Sequence, residues 1–379
     1  MTPRPVPARP ARDTRLDIIR GWLQLTIFAS HVAGSFIGGW LIYGTWGLSD
    51  SSEQFVFLSG FTLGSVFARK AARDGWHGGA ADILRRAWRL YRVHLMVFAL
   101  YLGMVLAAGA SILPGEPLRM GWGFLLRDPV GAVPGIATML YQPAFMGILP
   151  IFVWCMLLLP GFAWLLDRWG GQAMLLSLAV YACVHLFGLH TPSLGPDTGI
   201  AFDLFAWQVL FMAGAWLGRR ALLHGRALPF EAPWAKWVTA AAVAMLVLGV
   251  VLRLDWYGFL PWHGWMPDTT LVVGKERLAL PRLLHAFALA WLVAAYVPRE
   301  GGWMRTRAAA AVATIGRYSL EVFCLGLFLS WAGSTLLRLD PAWMPLLDPL
   351  IVAAGTLALA RFARFLDGRR AVARVVQPA

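Results

Sequence analysis

The chain has 379 residues, 59% of them hydrophobic and only 14% charged, with a mean hydropathy of +0.62. A soluble globular domain is about 25% charged, so this composition excludes one and points to a polytopic membrane protein. The net charge of +13 is read as membrane topology, because Lys and Arg collect on the cytoplasmic side; no nucleic-acid partner is expected.

The 20 Trp and 39 Gly suit membrane interfaces and close helix contacts. Cys155, Cys183 and Cys324 all fall within apolar segments, with no disulfide or metal spacing, so no metal site is expected. The first residues, MTPRPVPARPARDTR, form a Pro/Arg-rich tail. No cleavable signal peptide is expected, because the apolar segment after the tail is too long and carries no cleavage signal.

Ten apolar segments reach spanning length, near 18–38, 52–68, 88–110, 148–166, 172–190, 201–218, 235–252, 281–297, 311–336 and 345–364. With the N-terminus in the cytoplasm, the inner tails and loops hold most of the basic residues. Among them are Arg4, Arg9, Arg12 and Arg15, then Arg69, Lys70, Arg73, Arg85 and Arg86, and later Arg369, Arg370 and Arg374. Only Arg119, Arg127, Arg253, Lys275, Arg277, Arg282 and Arg338 fall outside, out of 33 in all. The expectation is an all-α polytopic membrane protein with ten transmembrane helices and both termini cytoplasmic. Its parts are a tail at 1–17, a single transmembrane domain at 18–364 and a tail at 365–379. No internal repeat is seen.

The first span contains RGWLQLTIFASH. Arg20 and His31 are eleven residues apart, which at 100° per residue is about 20° past three turns, so they share a face about 16 Å apart along the axis. Asp17 and Gln24 fall near that face. A polar stripe in a membrane helix must face protein or a water-filled cavity, and intramembrane ionisable groups are functional candidates. Arg20 is also open to a plainer role as an interfacial anchor, and His31 to one as a packing residue.

The second span opens with SDSSEQFVFLSG. Asp50 and Glu53 have the spacing of a helix N-cap and capping box. Glu53 also reaches a depth similar to that of His31, where a carboxylate would orient an imidazole and stabilise its protonated form. Ser59 and Gly60 lie deeper on the same helix; Gly60 admits close approach by either a helix or a ligand. RRAWRLYRVH places Arg86, Arg89 and Arg92 at the inner end of the third span. They are positive-inside flanking charge or a site for cofactor phosphates.

The outer connections carry Trp40, Trp46, Tyr141, Trp256, Tyr257, Trp262 and Trp265, an interface belt or a set of faces for a sugar ring. GKERLALPRLLHAFALAW then sets Lys275, Arg282 and His285 on the outer side, against the positive-inside trend. Arg282 and His285 share a helix face. They are outer anchors or cations that receive an anionic acyl group or an anionic sugar. A transporter is the competing class, since a mid-membrane His and Glu also suit a proton-coupled carrier. A third class is a purely structural membrane partner of another enzyme.

Six blocks, TRLDIIRGWLQLTIFASH, SDSSEQFVFLSGF, RRAWRLYRVH, YQPAFMGILP, GKERLALPRLLHAFALA and IGRYSLEVFCLG, resemble in order and spacing the OpgC family. That family succinylates osmoregulated periplasmic glucans and is similar to the type 3 membrane acyltransferases, whose hallmark is a basic residue, ten residues and a catalytic histidine. Arg20 and His31 match that spacing. The resemblance implies ten helices in the bacterial inner membrane, with a site open to both sides. Succinyl- or another acyl-coenzyme A would be the cytoplasmic donor and a periplasmic glucan the acceptor; no cofactor is bound permanently.

By the same resemblance His31 is the catalytic histidine, with Arg20, Arg86, Arg89 and Arg92 toward the acyl-coenzyme A; the reading of the residues adds Glu53 to the catalytic set with His31 and Arg20, and Ser59 and Gly60 to the acyl-coenzyme A. Asp50, Tyr141, Gln142, Lys275, Arg282 and His285 serve the acyl group and the glucan. The chain departs from the family pattern in FMGILP, where Gly147 stands in place of an acidic residue. Neither a homo-oligomer nor a glucan synthase partner is specified by the sequence.

Overall fold

A computed structural model describes residues 13–262, 264 and 269–376. Arg4, Arg9 and Arg12 of the expected inner tail, and Trp265 of the outer aromatic set, lie outside the described residues. Among the described residues the secondary structure is helical throughout, with no strand. In chain order the helices are α1 Thr14–His31, α2 Phe36–Trp40, α3 Tyr43–Trp46, α4 Ser51–Ser111, α5 Glu116–Arg119, α6 Gly123–Arg127, α7 Pro129–Thr138 and α8 Ile148–Trp169. They continue with α9 Ala173–Phe187, α10 Leu204–His224, α11 Ala235–Trp256, α12 Thr269–Val273, α13 Leu280–Tyr296, α14 Arg307–Arg317, α15 Ser319–Leu339 and α16 Met344–Val376.

Five helical runs among the described residues are long and apolar enough to cross a membrane: Ser51–Ser111, Ile148–Phe187, Ala235–Trp256, Ser319–Leu339 and Pro341–Val372. The first two each contain two of the segments expected from the sequence. The expected inner loop at 69–87 is helical instead. Its Ala, Arg and Lys residues favour helix, and the ion pairs Lys70–Asp74 and Asp82–Arg86 bridge successive turns at 2.9 and 2.8 Å. Hydrogen bonds from Arg73, and then Lys70, hold the Asp74 carboxyl well below the usual carboxylate range. The run breaks only at Gly75, whose φ of +76° is a conformation that a side chain disfavours.

Helix α1 also departs from expectation. The apolar pattern predicts a span to residue 38, but α1 stops at His31. Gly34 takes φ +88°, and Ser35 starts α2 by accepting from the Gly38 amide at 2.8 Å. His31 therefore sits in the last turn of a helix rather than within one.

The chain divides into two compact units, described separately here. Within the described residues, one comprises Val56–Pro229 and Val273–Leu280. In it α4 packs against α10, where two Gly-x-x-x-Gly pairs interlock. A Cβ added at Gly60 would lie 2.0 Å from the Phe211 carbonyl oxygen, and one at Gly218 would lie 1.8 Å from that of Phe61. Gly64 and Gly214 are equally tight, and the Ser65 hydroxyl donates to the Gly218 carbonyl at 2.6 Å. In lipid there is little hydrophobic drive between helices, so small residues that bring backbones together supply the association.

The other unit comprises, within the described residues, 13–55, 230–272 and 281–376. Here α1 packs on α14, α15 and α16 around Phe28, Val32, Ile315, Tyr318, Val322, Leu337 and Leu359. Gly21 and Gly316 play the reciprocal role: a Cβ at either would lie 1.9 Å from the facing carbonyl oxygen, of Val312 or Asp17.

Candidate functional site

His31 is half-buried, and its ring is fixed by its own helix. Nδ1 lies 2.7 Å from the Ile27 carbonyl oxygen, with the Ser30 hydroxyl at 3.3 Å. A carbonyl only accepts, so Nδ1 carries the hydrogen in the neutral ring and the lone pair resides on Nε2. The bond reaches back one turn along α1, whose last residue is His31. Arg20 is half-buried lower on α1. Thr26, between them, shares a 2.6 Å hydrogen bond with Ser51 of α4, tying the two helices together.

Residues 49–54 form the second part of the site. Asp50 accepts from the Ser52 amide at 2.8 Å, and Glu53 accepts from the Asp50 amide at 2.9 Å, the reciprocal pattern of a capping box. Both carboxylates also bind Arg282 of α13. Its Nε donates to Glu53 and its Nη2 to Asp50 at 2.7 Å. Glu53 is 0% exposed and Arg282 4%, so the charges are removed from water and tolerated because they are paired and hydrogen-bonded.

One turn along α13, His285 is buried with Nδ1 2.8 Å from the Ser49 hydroxyl. Its ring is wedged between Gly47 and Gly249, since a Cβ at either position would come within about 3 Å of it. The Arg253 Nε donates to the Gly47 carbonyl at 2.9 Å, and its guanidinium lies 4.7 Å from the Trp256 ring centre. The outer aromatic residues of this unit pack on one another. Trp40 lies 5.0 Å from Tyr257 and 6.0 Å from Trp46, while the Tyr257 hydroxyl and Trp46 indole donate to backbone carbonyls.

The other expected residues fall in the first unit. Arg86, Arg89 and Arg92 are exposed on α4, with the Arg86 Nε 2.8 Å from Asp82. Ser59 is half-buried, and Gly60 serves the α4–α10 contact. Tyr141 is buried and donates to the Gly121 carbonyl at 2.8 Å; burial pushes its phenol above the ordinary value, so it stays a donor. Gln142 donates to the Met139 carbonyl and accepts from the Ala201 amide, both at 3.1 Å. Lys275 lies 5.4 Å from the centre of the adjacent Phe202 ring. Gln142 and Lys275 thus both meet the strand of chain entering α10, where Asp203 is the cap.

At Gly147 an acidic side chain has no room: a Cβ there would lie 2.5 Å from Ala201 and 3.0 Å from Gln142 Oε1. Three contributors escape the sequence reading. Arg253 was counted only as an outer charge, and Ser334 and Asp348 sit inside apolar runs where a lone polar residue gives no signal of its partner.

The family model described as OpgC protein matches residues 12–370, nearly the whole chain. No curated protein and no solved structure matches it. A chain matched over that length, with several membrane-length helices, belongs to the OpgC family of glucan-modifying, acyltransferase-type membrane enzymes.

Proposed function

We propose that the protein transfers a succinyl or similar acyl group from cytoplasmic acyl-coenzyme A to a glucose hydroxyl of a periplasmic osmoregulated glucan, in the bacterial inner membrane. The observation that carries the proposal is the His31 ring, whose Nδ1–H bond to Ile27 directs the basic Nε2 away from its own helix. In this scheme ten spans with both termini inside bring the donor and acceptor to one site. Arg86, Arg89 and Arg92 receive the donor's phosphates, which Arg binds well through paired N–H groups. The pantetheine arm reaches His31 past Arg20; Gly60 is excluded from its path because the α10 backbone fills the space beside it.

His31 Nε2 takes the proton of the sugar hydroxyl as its oxygen attacks the thioester carbonyl. The C–S bond breaks, an ester forms, and the proton passes to the departing thiolate. Glu53, held by Arg282 and the Asp50 amide, supplies negative charge that favours the imidazolium. Asp50, Arg282 and His285 are assigned to the acyl group and the glucan. Arg282 would act there chiefly by fixing the two carboxylates it binds.

The test supplies purified protein in liposomes with succinyl-coenzyme A and periplasmic glucan, wild type beside His31→Ala. Free thiol and anionic glucan are followed together. Wild type is expected to yield both, and His31→Ala to lose at least about a hundredfold in rate, the scale of a lost general base. Turnover by His31→Ala at the wild-type rate would remove His31 from the chemistry. Wild type that moves glucan across the bilayer without releasing thiol would replace the transferase with a carrier.

A further inference from the structure

The functional histidine sits where a helix ends, and a helix end is the least constrained part of a helix. The last carbonyls and the first amides beyond them lack intrahelical partners, and no water is available to them in a membrane. Something outside α1 has to hold the backbone that carries His31, or the ring will not stay aimed.

Helix α15 supplies it. The Ala33 amide, two residues past His31, donates to the Ser334 Oγ at 2.8 Å. The Ser334 hydroxyl in turn donates to the Ser330 carbonyl at 2.7 Å, with the His31 carbonyl 3.3 Å away. One turn earlier, the Ser330 hydroxyl donates to the Phe28 carbonyl at 3.1 Å. Both serines are buried, at 1% and 5% exposure for Ser330 and Ser334. Between them, Gly333 lets Val32 pack against the α15 backbone: a Cβ there would lie 3.3 Å from a Val32 methyl.

The far side of the same turn is held by α16. Buried Asp348 accepts from the Ser35 hydroxyl at 2.5 Å and from the Ile37 amide at 3.0 Å. The segment 32–37 is therefore fixed at both ends by side chains distant in sequence. The serines and the aspartate satisfy groups that α1 and α2 cannot satisfy themselves.

We propose that Ser334, supported by Ser330 and Asp348, is the positioning residue for His31: it locks the end of α1 so that Nε2 is held at the acyl group. The proposal rests on His31 being the base. Ser334 touches no reacting atom and acts through the backbone of Ala33 and His31. Its loss should lower turnover without weakening the binding of either substrate, because small misplacement of a catalytic group costs rate.

The experiment measures kcat and KM for succinyl-coenzyme A and for glucan, by thiol release, in wild type, Ser334→Ala, Ser334→Thr, Asp348→Asn and His31→Ala, each with its thermal unfolding midpoint in detergent. Ser334→Ala is expected to lose about ten- to a hundredfold in kcat with both KM values within about twofold of wild type. Ser334→Thr, which keeps the hydroxyl, should recover most of that loss. Asp348→Asn should lower kcat in the same pattern and serves if Ser334→Ala does not fold. Wild-type kcat in Ser334→Ala or, should that variant not fold, in Asp348→Asn would overturn the proposal while leaving His31 as base. So would a loss carried by KM, or one that threonine does not relieve. An active His31→Ala would instead bring down the underlying mechanism.

Discussion

Arg282 is the residue on which the buried charge of the second unit depends. One guanidinium binds two carboxylates from different positions of the 49–54 segment, and neither carboxylate is left alone in the low-dielectric interior. Removing one partner of such a pair costs far more than the pair contributes, because the other charge stays buried without compensation. Arg282→Met should lower the unfolding free energy by about 3–5 kcal/mol, and Glu53→Gln in that background should restore part of it. Denaturant unfolding in detergent checks both, and a double variant no better than the single one would show that the two residues are not coupled. Lysine will not substitute, since an ammonium lacks the planar fork that reaches two acceptors. In the sequence, Arg282 stood out because it runs against the positive-inside trend. Asp50 and Glu53 stood out separately, as a capping box, but their pairing with Arg282 did not, because 229 residues separate it from Glu53.

Among the elements, the α4–α10 contact shows how glycine sets helix distance. Gly60, Gly64, Gly214 and Gly218 each oppose a backbone carbonyl at a distance no Cβ tolerates. Gly218→Ala should therefore force the helices apart and lose about 1–3 kcal/mol, as overpacking does. The control is Gly103→Ala on the same α4, where no atom lies within 4 Å of the added methyl; it should be neutral or slightly stabilising, since Ala favours helix over Gly. Equal unfolding midpoints for the two variants would contradict the interlock. From the sequence only Gly60 was marked, open to either a helix or a ligand. That the neighbour is a helix is a tertiary fact. The end of α1 illegibly precedes its apolar pattern for a similar reason: VAGS is apolar enough to continue a span, but the Gly34 turn is fixed by Asp348, more than three hundred residues away.

For the whole molecule, the charge distribution makes a topological prediction. Cys at position 199 should react with an impermeant thiol reagent added outside spheroplasts, and Cys at position 226 only after the membrane is opened. A reporter at the C-terminus should behave like position 226. Labelling of position 226 from outside would reverse the assigned orientation and, with it, the side from which the donor enters. The three native cysteines are buried or half-buried and suit this design.

Composition, with apolar runs of about 20 residues, determined that this is an all-helical membrane chain, because backbone groups in water-free surroundings must be bonded internally and runs of that length achieve it as helices. Local spacing went further and marked Arg20, His31, Asp50, Glu53, Arg282 and His285, since ionisable groups are costly in apolar segments. The tertiary structure alone decided which of these meet. It joined Asp50 and Glu53 to Arg282, set His285 against Ser49, ended α1 at His31, and filled the space beside Gly147 with Ala201 and Gln142. Those outcomes turn on hydrogen bonds and contacts between distant segments, and periodicity along one helix carries no information about the helix that will face it.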